Sequence, residues 1–262
     1  MDKSSLPHHN PHNKKMRLDQ LLVELELVES RNKAQAIIQL GNVLVNEKVI
    51  DKAGTQVSKD AVIRLRGENS KFVSRGGDKL EAAMVHFQID CTDYICADLG
   101  ASTGGFTDCL LQRNAQKVYA IDVGYNQLAW KMRQDPRVVV MEKCNARHLE
   151  ALPDPIDCIV GDLSFISITK IVPAMLKLAK PGAIGVLLIK PQFEVGYDAI
   201  DDGLVRDPAI RAKAINSVIE DFRRYDCTII GHIPSPVAGA KKGNVEELVY
   251  LHFPTTQPSS VR

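Results

Sequence analysis

Four polar residues stand where this chain can use them for chemistry. Lys79 follows Gly76-Gly77-Asp78, and Asp162 ends the run Ile159-Val160-Gly161. Lys190 closes the very apolar stretch Val186-Leu187-Leu188-Ile189, and Glu246 precedes the segment Glu247–Phe253. A lysine at the end of an apolar strand emerges at the edge where open α/β sheets bind ligands, an unusual place for a lysine without a task. As a free amine it can take the proton of a poor nucleophile such as a hydroxyl held in line for attack. Asp162, ending the preceding strand, orients such an ammonium but also strengthens its hold on the proton, so a second cation is wanted, and Lys79 can supply it. Glu246 would position Lys79 or the substrate. Glu247 points to the opposite face if the strand begins there, so the choice between the two depends on register.

A second group of residues can hold a nucleoside. Asp98-Leu99-Gly100-Ala101-Ser102-Thr103-Gly104-Gly105-Phe106 reads as a strand, a tight turn and the start of a helix. Gly100, Gly104 and Gly105 remove side chains where the backbone bends sharply and approaches a ligand. The spacing is not the dinucleotide G-x-G-x-x-G, and the loop alone leaves nicotinamide and flavin open beside a methyl donor. Asp122 ends the next strand, where a carboxylate can accept both ribose hydroxyls. Asn145 follows the third, within reach of an adenine edge. Together these three strand ends describe an adenosine-shaped crevice.

The elements that must carry these residues alternate. Expected strands are Tyr94–Asp98, Lys117–Asp122, Val138–Glu142, Ile156–Gly161 and Ala183–Lys190, with Cys227–Ile233 and Glu247–Phe253 completing the sheet. Helices are expected at Gly105–Arg113, Gln127–Gln134, Ile168–Ala179 and Pro208–Tyr225. This pattern predicts a parallel α/β sheet covered on both faces. Ahead of it lies a smaller module. Leu18, Leu21, Leu22 and Leu25 recur at helical spacing, Ser30 can cap a second helix with Ala34, Ile37 and Ile38 on its apolar face, and Gly41 is its exit. Short strands follow at Val43–Val45, Val57 and Ala61–Leu65. The chain therefore divides into a polar tail (1–15), a first domain (16–66), a Gly/Ser-containing connector (67–77), a larger domain (78–253) and a second tail (254–262). His8, His9 and His12 of the first tail have no scaffold to fix metal geometry, and no metal site is expected.

Composition sets limits. With 262 residues and 45% hydrophobic content the chain can bury a sizeable core, and its net charge of +1 says nothing about partners, which read local patches. The six cysteines show no ligand spacing and read as small, reduced core residues. No apolar run approaches bilayer length and no leader precedes the first domain, so a cytoplasmic protein without a membrane partner is expected.

Two resemblances sharpen this reading. Arg17-Leu18-Asp19, Ser30-Arg31, Ala34, Ile38, Gly41 and Val43-Leu44-Val45-Asn46 resemble the S4-like RNA-binding domain, with Glu47 where that family often has glycine. The resemblance implies RNA contacts from Arg17, Arg31, Lys33 and Lys48, with Arg75 added from the connector. Ser74-Arg75-Gly76-Gly77, Lys79-Leu80, the loop Asp98 to Asp108, Asp162-Leu163-Ser164-Phe165-Ile166-Ser167, Leu188 to Glu194, Val205-Arg206-Asp207-Pro208 and Gly243-Asn244-Val245-Glu246 carry the second. They resemble the TlyA-type (hemolysin A family) branch of ribosomal RNA 2′-O-methyltransferases, related to FtsJ-type enzymes. Asn126 departs from the glycine common there.

That family implies a Rossmann-like, seven-stranded S-adenosylmethionine (SAM)-dependent methyltransferase sheet behind a small α+β S4-like domain. It implies a catalytic tetrad of Lys79, Asp162, Lys190 and Glu246, with Lys190 as base. SAM would be held by Asp98, Gly100, Ser102, Thr103, Gly104, Gly105, Phe106, Asp122, Asn145 and Asp162. The substrate implied is cytidine ribose in 16S and/or 23S ribosomal RNA, within assembled subunits. A non-catalytic RNA-binding assembly factor is the first alternative, and the four chemical residues argue against it. A membrane-active hemolysin lacks a spanning segment or a long basic amphipathic helix here. A base methyltransferase would show an Asn/Asp-Pro-Pro-aromatic motif or a catalytic cysteine, and Asp162-Leu163-Ser164-Phe165 has neither.

Overall fold

The structure, a computed structural model, describes residues 15–256 apart from 26, 29, 47, 66–70 and 238–243. The expectations for the histidine-bearing tail, the last residues, Glu47 and the first four residues of the connector fall outside the described residues. The chain forms two units, residues 1–69 and 70–262.

In the first unit, strand β1 (Lys15–Arg17) leads into helices α1 (Leu18–Glu24) and α2 (Arg31–Gln39). Ser30 caps α2 by accepting from the Lys33 N–H, and Gly41 leaves it at φ 69°, a left-handed value that favours glycine. Strands β2 (Val43–Val45), β3 (Lys48–Ile50), β4 (Gln56–Ser58) and β5 (Ile63–Leu65) follow. β2 pairs antiparallel with both β3 and β5, while β4 pairs with β1, a pairing that the sequence pattern does not announce. Leu18, Leu21, Leu22, Ala34, Ile38, Val43, Val45 and Val57 form its core, the residues whose helical and alternating spacing pointed inward.

The second unit opens with helix α3 (Gly76–His86), so Gly76 and Gly77, assigned by sequence to the connector, form its first turn. Strand β6 (Ile95–Leu99), helix α4 (Gly105–Gln112), strand β7 (Lys117–Ile121), helix α5 (Trp130–Gln134), and strands β8 (Val138–Met141) and β9 (Ile156–Gly161) follow. Helix α6 (Val172–Leu178), strand β10 (Ala179–Ile189), the single turn α7 (Pro191–Glu194), helix α8 (Pro208–Arg224), and strands β11 (Thr228–Pro234) and β12 (Glu247–His252) complete it. The seven strands lie in the order β11-β12-β10-β9-β6-β7-β8. Pairing is parallel from β10 through β9, β6 and β7 to β8, but β12 runs antiparallel to both β10 and β11. The sheet is thus not wholly parallel, and the reversed strand has a consequence for the site.

Strand alternation sorts side chains onto two cores. Ala97, Leu99, Leu187, Ile189 and Val249 face one, and Cys96, Val160, Val186, Leu188 and Leu248 face the other, which also contains Leu80, Ala83 and Met84 of α3 and Phe106 and Leu110 of α4. Five cysteines are buried, Cys144 is partly so, and all are free.

Candidate active site

Strand parity delivers two of the four chemical residues to one place, and a helix brings a third. Lys190 continues the alternation of Val186 and Leu188, and Glu246 that of Leu248, so both extend toward the face covered by α3, which carries Lys79. Because β12 is reversed, its first residue, Glu247, pairs with Ile189, the last of β10, and Glu246 arrives beside Lys190 instead of at the far edge. Lys79 Nζ donates to Glu246 Oε2 at 2.7 Å and lies 3.6 Å from Asp162 Oδ2. Lys190 Nζ is 2.5 Å from Asp162 Oδ1 and donates to Ser164 Oγ at 2.8 Å. The four residues form an alternating chain of charges, Glu246, Lys79, Asp162 and Lys190. Glu247 turns to the other face and pairs with His232 at 3.0 Å, which resolves the register question in favour of Glu246.

Lys79, Lys190 and Glu246 are all buried. Removing one partner of such a pair leaves an uncompensated charge away from water, a loss of about 3–5 kcal/mol. Lys79 reaches the site because α3 and α4 touch through glycine. A Cβ on Gly105 would stand 2.3 Å from Ser74 Oγ and 2.7 Å from the Gly77 nitrogen, distances no side chain tolerates. A Cβ on Gly77 would in turn stand 2.3 Å from the Phe72 side chain.

Beside this chain of charges lie the glycine loop and the strand ends Asp98 and Asp122. Gly100 and Gly104 adopt φ of 82° and 93°, and a Cβ at Gly100 would press on the Asp162 carbonyl at 3.0 Å. Asp122 is fixed at the end of β7 by the Ser102 N–H (2.8 Å to Oδ2) and the Gly124 N–H (2.6 Å to Oδ1). Each of its oxygens retains a lone pair for a ribose hydroxyl. Asp98 is fully buried; Thr107 Oγ1 donates to its Oδ2 at 2.6 Å, and its Oδ1 has no hydrogen-bond partner. Burial raises its pKa to about 7; Thr107 opposes the shift, while the Asp162 and Asp122 charges add to it. Ser102 and Asn145 are exposed and Thr103 is half-buried; the Asn145 side chain accepts from the Arg147 N–H and caps a 3₁₀ turn. Gly105 and Phe106 are buried, and the Phe106 side chain belongs to the core, leaving only its backbone to the loop.

Three neighbours had drawn no individual notice in the sequence. Ser164 meets Lys190; Phe165 is 89% exposed with φ of 64°; and Glu194 accepts from Ser167 Oγ (2.5 Å) and the Ile168 N–H (2.9 Å). Burial pushes the Glu194 carboxyl up from its ordinary range. All three lie inside the recognised strings.

The expected RNA contacts divide between the units. Asp19 is buried and accepts from Arg17 Nε and Nη2, Arg31 Nη2 and Gln35 Nε2, each at 3.0 Å. Arg17 foremost, with Gln35 and Arg31, holds this carboxyl well below the usual range against the effect of burial. Lys33 and Lys48 are exposed in the same unit, and exposed Arg75 precedes α3 in the other.

Comparison with known proteins identifies the families of the two units. Residues 72–253 match the FtsJ-like methyltransferase family and residues 16–63 the S4 domain. Hemolysin A of Brachyspira hyodysenteriae is 46% identical, over 90% of this chain and 99% of the relative. The 16S/23S rRNA (cytidine-2′-O)-methyltransferase TlyA of Mycobacterium tuberculosis is 40% identical, over 95% and 94%. A solved structure provisionally described as a hemolysin, from Streptococcus thermophilus, superposes with a TM-score of 0.73 at 39% identity, covering 93% of this chain and 90% of that one. The sheet, glycine loop and polar chain define an enzyme of the SAM-dependent methyltransferase class. The protein belongs to the FtsJ-like methyltransferase family and carries an N-terminal S4 domain. Its cofactor is S-adenosylmethionine.

Proposed function

We propose that the protein methylates the ribose 2′-hydroxyl of cytidine in 16S and/or 23S ribosomal RNA, within assembled subunits, with Lys190 as the base. The observation that carries this is the convergence of Lys79, Asp162, Lys190 and Glu246 at the crevice edge; the name of the M. tuberculosis relative points the same way. Bound SAM supplies an electrophilic methyl carbon whose leaving group is a neutral thioether. The difficulty therefore lies in the hydroxyl, which must be aligned and lose its proton. Lys190 Nζ takes that proton as the oxygen forms its bond to the methyl carbon and the carbon–sulfur bond breaks, and the proton then passes to water. Asp162 compensates the ammonium so formed. Lys79, held by Glu246, offsets the charge of Asp162. Asp98 Oδ1, Asp122 and the loop from Gly100 to Gly105 hold the cofactor, with Asn145 at the adenine. Exposed Phe165 offers a ring face on which a nucleobase can stack. Arg17, Arg31, Lys33, Lys48 and Arg75 contact RNA phosphates.

The test is labelled methyl transfer from SAM to purified, undermodified small and large subunits, followed by mapping of 2′-O-methyl positions. A discrete ribose signal that disappears in Lys190→Ala, with SAM binding retained, is the expected result. Turnover retained in Lys190→Ala overturns the base assignment. The name hemolysin A favours a second reading, membrane activity. No helix among the described residues is long and apolar enough to cross a membrane, and liposome leakage by the purified protein tests that reading directly.

A further inference from the structure

Lys190 Nζ has two polar neighbours with different effects. Asp162 Oδ1 is the nearer at 2.5 Å, yet this oxygen is buried without a geometrically sound hydrogen bond, so the pair compensates charge without fixing direction. Ser164 Oγ, at 2.8 Å, accepts a directed hydrogen bond from the same nitrogen. A neutral amine has two N–H bonds and one lone pair, and rotation about Cε–Nζ carries the lone pair through three staggered wells. An acceptor that engages one N–H selects among those wells.

The loop that presents Ser164 is anchored at both ends. At its start the Asp162 N–H donates to the Leu99 carbonyl at 3.1 Å, and the Asp162 carbonyl is closely flanked by Gly100. At its far end Ser167 Oγ and the Ile168 N–H donate to Glu194, on the turn that begins beside Lys190. Within that turn the Phe193 N–H donates to the Lys190 carbonyl at 2.8 Å. Base and hydroxyl are thus tied to one frame by bonds that do not involve either side chain. Lys190 is only 8% exposed, while Ser164 lies at the surface, so the hydroxyl is the more accessible of the two groups.

We propose that Ser164 is a positioning residue for the methyl-transfer reaction, its Oγ orienting the Lys190 amine so that the lone pair faces the incoming hydroxyl. This role rests on the assignment of Lys190 as base. It requires no contact between Ser164 and the cofactor.

The test uses the full-length protein with undermodified subunits and saturating SAM, comparing wild type, Ser164→Ala, Ser164→Thr and Lys190→Ala. Loss of orientation lowers the single-turnover methylation rate of Ser164→Ala about tenfold, while SAM affinity and the KM for RNA stay within about twofold. Threonine, which keeps the hydroxyl, restores the rate to within about threefold of wild type. A wild-type rate in Ser164→Ala beside an inactive Lys190→Ala overturns the positioning role and leaves the base assignment standing. An effect confined to KM makes Ser164 an RNA contact instead. Parallel loss of SAM affinity without rescue by threonine makes it merely structural. Turnover retained by Lys190→Ala removes the base assignment, and this role with it.

Discussion

Asp98 joins burial and charge at a single carboxyl. Its carboxyl is enclosed, bonded by Thr107 on one oxygen and orphaned on the other, and its pKa rises to about 7. The folded chain therefore holds this proton more tightly than the unfolded chain. The stability it contributes is full below about pH 4 and is lost as pH rises through about 7, at about 1.4 kcal/mol per pK unit. Asp98→Asn cannot ionise, so without SAM its melting temperature relative to wild type should climb between pH 5 and pH 8, on top of a pH-independent offset from the amide. A constant difference across that range would show that Asp98 is already charged in the folded protein. The motif pointed to Asp98, but its complete enclosure against α4 follows from packing.

Among the elements, the junction between α3 and α4 sets where Lys79 stands. Gly105 lets the two helix starts touch, and a methyl group there would meet Ser74 and the Gly77 backbone. Gly105→Ala should force the helices apart at a cost of about 1–3 kcal/mol. Because Lys79 moves with α3, methyl transfer should fall more than SAM affinity; calorimetric SAM binding measured beside turnover separates the two. Most strands and helices were legible in the sequence because β-branched runs and helical periodicity agree with the fold; most ends differ by a residue or so, but β10 begins four residues before the expected Ala183, and α5 and α6 begin three and four residues after the expected Gln127 and Ile168. β1 and β3 were not legible in the sequence pattern. The reversed direction of β12 was equally silent, because side-chain alternation reads the same from either end of a strand.

Across the full chain, one unit offers guanidinium groups and the other performs the chemistry. Asp19 fixes Arg17 and Arg31 with directed bonds, so two cations on flexible stems are oriented before any RNA arrives. Arg17→Gln combined with Arg31→Gln in the full chain should weaken rRNA binding and make the dependence of log affinity on log salt shallower, by about one unit of slope for each phosphate left without its arginine. SAM affinity should stay unchanged. A fall in SAM affinity, or an unaltered salt slope, would mean that these arginines do not engage phosphate.

The class of fold and the cofactor could both be read in one dimension, because strand ends, glycine turns and specific strings are local features of the chain. Three relations could not. Glu246 and not Glu247 meets Lys79, β12 runs backward to bring it there, and Ser164 engages the amine of Lys190. Each depends on strand direction, face parity or the path of a loop between anchored ends. Those are relations between segments distant in the chain, set by packing and backbone pairing rather than by any residue's own preference.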